Sequence, residues 1–316
     1  MTYKNKLICL LIIISALILA YAGSFIFSPD MNIARSASFI WLDANTANRV
    51  NRLVLDNGWN KLEFIKKNDQ WFVNYNNNEY PARRFRIDDF LSVFTTRSQW
   101  PVRSSSAEAY DRFGFDENAS RVTFYDNFSI LLDLFLGDDD ILGRESYFRQ
   151  AGKNEIRSGD SSVRSYLTSA VTSWYNLRLI PETENRVITI NNLQRLSIYN
   201  EGVNQIFTRS GRSWEISGIN VENPDMDNVT EFINFVLNAE GEDFIDLQTA
   251  PGMDFNYSRI TLEFGNGSVI TISVSGPDEI NKRYAKVSNS EYIYQIPLWV
   301  TVRLFRTAES FETENI

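Results

Sequence analysis

Hydrophobic and polar positions alternate through two stretches of the chain, and the second alternation repeats the first. RLVLDNGWNKLEFIKKNDQW, Arg52–Trp71, returns without a gap as RLSIYNEGVNQIFTRSGRSW, Arg195–Trp214. Leu53 matches Leu196, Phe64 matches Phe207, Lys66 matches Arg209 and Trp71 matches Trp214, all 143 positions apart. The period of two predicts strands at 53–55, 62–65 and 70–73. Asn57-Gly58 joins the first two as a hairpin turn. Recurrence at the same register marks Trp71 and Trp214 as core landmarks.

The period then changes. Ile87, Phe90, Leu91 and Phe94 fall on one face of a helix, and Val229, Phe232, Ile233 and Val236 repeat that face. Asp227 is the expected N-cap of the second helix. Asp88 and Asp89 are expected to open the first, where the helix dipole favours negative charge. A short helix, Ala107–Arg112, leads into Phe113-Gly114-Phe115-Asp116. The strand at 121–124 matches 259–262, and 131–136 matches 269–275. Tyr147-Phe148-Arg149 matches Tyr284-Ala285-Lys286. Each repeat closes with a helix, Ser161–Tyr175 with Asp160 as its cap, and Leu298–Phe305.

Ahead of the repeats, Leu7–Phe27 is uncharged, with Lys4 and Lys6 before it and Asp30 the first charge after it. A run of that length suits a membrane-spanning helix with the N-terminus in the cytoplasm. Ala20-Tyr21-Ala22 is also a signal-peptidase pattern. The apolar run continues through Phe25, Ile26 and Phe27, which favours a retained anchor over cleavage. Cys9 opens the run rather than following it, which disfavours a lipoprotein.

The expected class is therefore α+β: an N-terminal transmembrane helix, then two tandem β-rich repeats, each with antiparallel strands and about two helices. The expected divisions are a cytoplasmic tip and anchor at 1–27, a spacer at 28–49, repeats at 50–180 and 181–306, and a polar tail at 307–316.

Composition narrows the chemistry. The chain has 316 residues, no histidine, one cysteine and a net charge of −9. The missing histidine excludes Ser-His-Asp triads and ordinary zinc sites. A single cysteine excludes an intramolecular disulfide, and the acidic balance argues against a nucleic-acid partner. No cofactor or metal is expected. Asp138, Asp139 and Asp140 form the densest acidic run, but lack the alternating spacing of a calcium loop and read as a solvated turn. Asp111, Asp116 and Glu117 are the weaker candidates for a hydrolytic carboxylate pair. Arg83, Arg84 and Arg86 precede the first helix and suit an acidic partner or lipid headgroups as well as they suit a solvated turn. The candidate interaction surface is thus Arg83, Arg84, Arg86, Phe113, Phe115, Asp116, Asp138, Asp139 and Asp140. No catalytic residue is assigned.

The N-terminal run, the Trp-ended hairpin Asp69-Gln70-Trp71 and Tyr80-Pro81-Ala82 before a helix form one ordered set. Phe113-Gly114-Phe115-Asp116, Leu136-Gly137 and Tyr147-Phe148-Arg149 complete it. On that set the chain resembles the bacterial domain-of-unknown-function 4340 family. The resemblance implies genes beside ABC-transporter ATPase and permease subunits and a gliding-motility-type auxiliary protein. It implies a membrane-anchored accessory on the outer side of the inner membrane, with permease or auxiliary subunits as partners. It brings no catalytic residues. The second repeat departs from the pattern, with Met253-Asp254-Phe255 in place of the Phe-Gly-Phe-Asp turn. The expected function is a non-enzymatic accessory subunit of an ABC-type transport assembly. The alternatives are an envelope polymer-binding or structural protein and, less favoured, a carboxylate-dependent glycan hydrolase.

Overall fold

The computed structural model describes residues 38–180, 188–245 and 253–313, with positions 14, 15, 17, 18 and 21 of the N-terminal run. The chain separates into two compact units, the first ending at Trp174 and the second beginning at Tyr175.

In chain order the first unit holds β1 (Ser38–Phe39), α1 (Ala44–Ala47), β2 (Arg52–Asp56), β3 (Lys61–Lys67), β4 (Gln70–Tyr75) and β5 (Asn78–Pro81). Then come α2 (Arg84–Thr95), β6 (Ser98–Gln99), β7 (Val102–Ser104), β8 (Ser120–Asp126), β9 (Ser129–Asp139), β10 (Glu145–Gln150), β11 (Ile156–Asp160) and α3 (Ser162–Thr168). Nine of these strands form one antiparallel sheet in the order β5-β4-β3-β2-β8-β9-β10-β11-β7, and β1 pairs with β6 apart from it.

Alternation gives this sheet two unlike faces. Leu53, Leu55, Phe64, Val73, Val122, Phe124 and Leu134 point to the helix side and are buried. Ile87, Phe90 and Phe94 of α2 close that side, with Phe94 5.1 Å from Phe124 and Phe64 4.8 Å from Trp174. Gly159 on β11 lies flat against the Trp100 ring, leaving no room for a β-carbon.

The second unit holds β12 (Leu193–Asn200), β13 (Val203–Ser210), β14 (Ser213–Ser217), α4 (Met226–Asn238), β15 (Asp243–Ile245), β16 (Ser258–Phe264), β17 (Val269–Val274), β18 (Arg283–Val287), β19 (Ile293–Ile296) and α5 (Leu298–Leu304). Its strand order, β14-β13-β12-β16-β17-β18-β19-β15, is that of the first sheet without the outer strand β5. The register agrees as well. Leu53 faces Phe64 and Phe124, and Leu196 faces Phe207 and Leu262. Phe207, Phe232 of α4 and Phe311 meet at 5.1–5.5 Å in its core.

The α+β expectation is corrected. The described residues form three antiparallel sheets, and their five helices run from four to 13 residues. The expected helix Ser161–Tyr175 stops at Thr168, because Ser169 is extended at the C-cap and a 3₁₀ turn, Val171–Trp174, follows. Ala107–Arg112 is not one helix but two 3₁₀ turns, Ala107–Ala109 and Asp111–Phe113. The cap of α4 is Asp225, whose carboxylate accepts from the N–H groups of Asp227 and Asn228. α2 begins at Arg84, so Asp88 sits a turn inside it and pairs with Arg84 instead of opening the helix. Most of Leu7–Phe27 lies outside the described residues. Among the described residues no helix is long and apolar enough to cross a membrane.

Candidate functional site

The residues singled out from the sequence fall mostly at one end of the first sheet, where β2 turns into β3 and β9 into β10. The β2–β3 turn is held by its own side chains. Asp56 accepts from Gly58 N–H at 2.9 Å, and Asn57 accepts from Trp59 and Asn60 N–H at 3.0 and 2.7 Å. Gly58 has φ +82°, and a β-carbon there would stand 2.8 Å from the Asn118 carbonyl oxygen. This turn projects Trp59 into solvent at 92 % exposure.

Asn118 belongs to the next piece of the rim. Its N–H donates to Asp116 at 2.8 Å, so Asp116 closes a turn. Gly114, at φ +73°, carries Phe113 and Phe115 inward and packs on the Asp138 carboxylate. Phe113 and Phe115 are buried with Ile156 and packed against Tyr110, Phe135 and Tyr147. They are a small satellite core and no part of an exposed surface.

The three consecutive aspartates separate by task. Asp138 is exposed beside Gly114. Asp139 pairs with Arg164 of α3 at 2.9 Å and accepts from the Ser146 hydroxyl. Asp140 accepts from the N–H groups of Arg144 at 2.6 Å and Glu145 at 3.0 Å. The Glu145 N–H foremost, then that of Arg144, holds its carboxyl below the usual range. Beyond Asp140 the turn exposes Ile141 fully and Leu142 at 69 %. Among the described residues no group of three or more Asp, Glu, Cys or His is placed to hold a metal ion.

α3 straps this end together. Arg164 donates to the Gly137 carbonyl as well as to Asp139. The Leu167 carbonyl accepts from the Asn57 side chain at 3.1 Å, and the Ser161 hydroxyl donates to the Gly143 carbonyl at 2.9 Å. Just past its end, Ser169 accepts from Arg86 at 2.9 Å.

The arginine run is likewise divided. Arg86 is partly buried, stacked 5.0 Å from Tyr166 and 4.6 Å from Trp174. Burial lowers its pKa first of all, Tyr166 acts the other way, and Arg83 adds to the lowering. Arg84 makes an exposed pair with Asp88 at 3.4 Å. The Arg83 N–H donates to the Trp174 carbonyl at 2.7 Å and begins α2. The Arg86 guanidinium is thus packed against the aromatic core of the first unit.

Sequence reasoning missed the exposed pair Ile141-Leu142 and the role of Arg164. The signal was present: two adjacent large apolar residues sit inside an otherwise charged turn, GDDDILGRE.

Fold and rim together define a duplicated antiparallel β protein that carries an apolar rim on its first unit. The sequence pattern of the family described as Domain of unknown function (DUF4340) matches residues 71–254, more than half of the chain. The chain belongs to this family. No curated protein and no solved structure matches it.

Proposed function

We propose that the protein is a non-enzymatic interaction subunit that works on the outer side of the inner membrane as an accessory of an ABC-type transport assembly. The observation that carries this reading is the rim. Trp59, Ile141 and Leu142 are bare on turns at one end of the first sheet, Trp59 at 92 % exposure, Ile141 fully and Leu142 at 69 %. Exposed aromatic and branched residues gathered on a rigid edge mark binding surfaces. The neighbouring Asp116 and Asp140 are committed to holding turns and Asp139 to its pair with Arg164, which favours a binding role over hydrolysis. The transport assignment and the association with gliding-motility-type genes rest on the family resemblance. The location rests on Leu7–Phe27, uncharged and preceded by Lys4 and Lys6.

Affinity purification of the full chain from its own membranes tests the reading. Permease or auxiliary subunits are expected to co-elute with the wild type and to be lost with the double variant Trp59→Asp, Ile141→Asp. Recovery of neither subunit with the wild type contradicts the proposal.

A further inference from the structure

The outer face of the first sheet, opposite α2, is divided in two. One half is roofed by residues 107–119. There Tyr110, Phe113 and Phe115 lie over Phe135 and Tyr147, with the Arg149 guanidinium 4.3 Å from the Tyr110 ring and 4.5 Å from the Phe135 ring. The other half is open. On it, directly paired residues of five neighbouring strands make a row: Phe72 on β4, Ile65 on β3, Arg52 on β2, Tyr125 on β8 and Ile130 on β9. Directly paired residues share a face. Four strand spacings give the row a length of about 19 Å. None of the five is buried, and Phe128, at the tip of the β8–β9 hairpin, is 93 % exposed.

A pocket of about 430 Å³ opens on this row, walled by Arg52, Glu63, Ile65, Lys66, Asn127 and Phe128. That volume is within the range of small-ligand sites. The charges at the pocket are already paired, Arg52 with Glu63 at 2.5 Å and Lys66 with Asp69 at 2.7 Å. Arg52 also stacks 4.4 Å from the Tyr125 ring. Asn51 and Asn127 exchange two hydrogen bonds, at 2.7 and 3.0 Å, which fix the hairpin that carries Phe128.

The second sheet provides an internal control. Its equivalent row, by strand order and register, is Glu215, Thr208, Arg195, Glu263 and Val269. The same fold accommodates a mostly polar row there, so the sheet itself does not require the apolar one. A ligand does.

The chemistry of that ligand follows from the position. The row crosses central strands whose backbone groups bond their neighbours, so a peptide cannot add to it as a strand. Recognition must come from side chains. Flat apolar rungs, interleaved with planar polar groups whose charges cancel, suit a chain of uncharged rings with apolar faces and hydroxyl edges. We propose that this row binds a neutral polysaccharide strand lying from β4 to β9. Phe128, Tyr125 and Phe72 face its rings, and Arg52, Glu63 and Asn127 meet its hydroxyls. This site is separate from the rim and does not depend on its partner.

Isothermal titration of the full chain in detergent tests the site. The probes are two neutral tetrasaccharides, chitotetraose and cellotetraose, and the charged tetragalacturonate. At least one neutral tetramer is expected to bind. Phe128→Ser, at a solvent-exposed tip where folding is not at stake, is expected to weaken it by about tenfold or more. Ile280→Ser, on the second unit, is expected to leave it unchanged. The proposal is overturned if neither neutral tetramer binds, if Phe128→Ser binds like the wild type, or if tetragalacturonate binds better than both.

Discussion

Gly159 shows how tightly single residues are specified. The Trp100 ring occupies the space that a β-carbon on Gly159 would need, and Trp100 is itself packed 5.0 Å from Phe148. Gly159→Ala is therefore expected to destabilise the first unit by about 1–3 kcal/mol, the usual cost of overpacking, measured by urea unfolding. Tyr284 makes a prediction about pH. Burial first, and then the Asp278 carboxylate that accepts its hydroxyl at 2.7 Å, push its pKa up to about 12. A raised native pKa gives stability that is complete below the ordinary tyrosine value of about 10 and is lost as pH rises toward 12. Tyr284→Phe is expected to flatten that alkaline decline, followed by thermal melts at stepped pH. An unchanged slope would remove Tyr284 as its source. The core residues Trp71, Phe64 and Phe207 were legible as residues, because they recur in a repeat. The roles of Arg86 and Asp139 were not. A lone charged letter does not reveal that it stacks on Trp174 or pairs with a helix 25 positions away.

At the scale of elements, α3 is short but joins four pieces of chain through Arg164 and Leu167, with Ser161 and Ser169 just outside its two ends. Arg164→Ala is expected to cost about 1–2 kcal/mol, the range for a charged hydrogen bond that is partly exposed. Hydrogen exchange should rise at 137–140 while the α2 core stays protected. Equal exchange at both places would mean that α3 is not the strap. The two longest helices and the main strands could be read from their periods, since α2 and α4 keep one apolar face over two turns. The class could not. β5, β7 and β15 have three or four residues each, too few for alternation to register, and they enlarge the sheets beyond the expected strands. The closing helix of the first unit was overread because apolar spacing continues past Ser169, where the backbone turns extended.

For the whole molecule, duplication is the organising fact, and the differences between the copies locate function. The two sheets share strand order and register, so whatever the fold requires appears twice. Trp59 has Gly202 at the matching turn, and Tyr125 has Glu263 at the matching rung. The Phe-Gly-Phe-Asp turn was visible in sequence as a point of disagreement, and the structure turns it from a surface into the underside of a rim. The rim's own apolar residues were hidden among charges, because a turn has no period to betray which side chains face out. The most direct test is site-specific photo-crosslinking from position 141 in intact membranes, with position 280 as the matching exposed site of the second unit. A cross-link from 141 to an ABC-transporter permease or auxiliary subunit, with none from 280, is the predicted result. Cross-links of equal yield from both positions, or none to such a subunit from 141, would contradict the account.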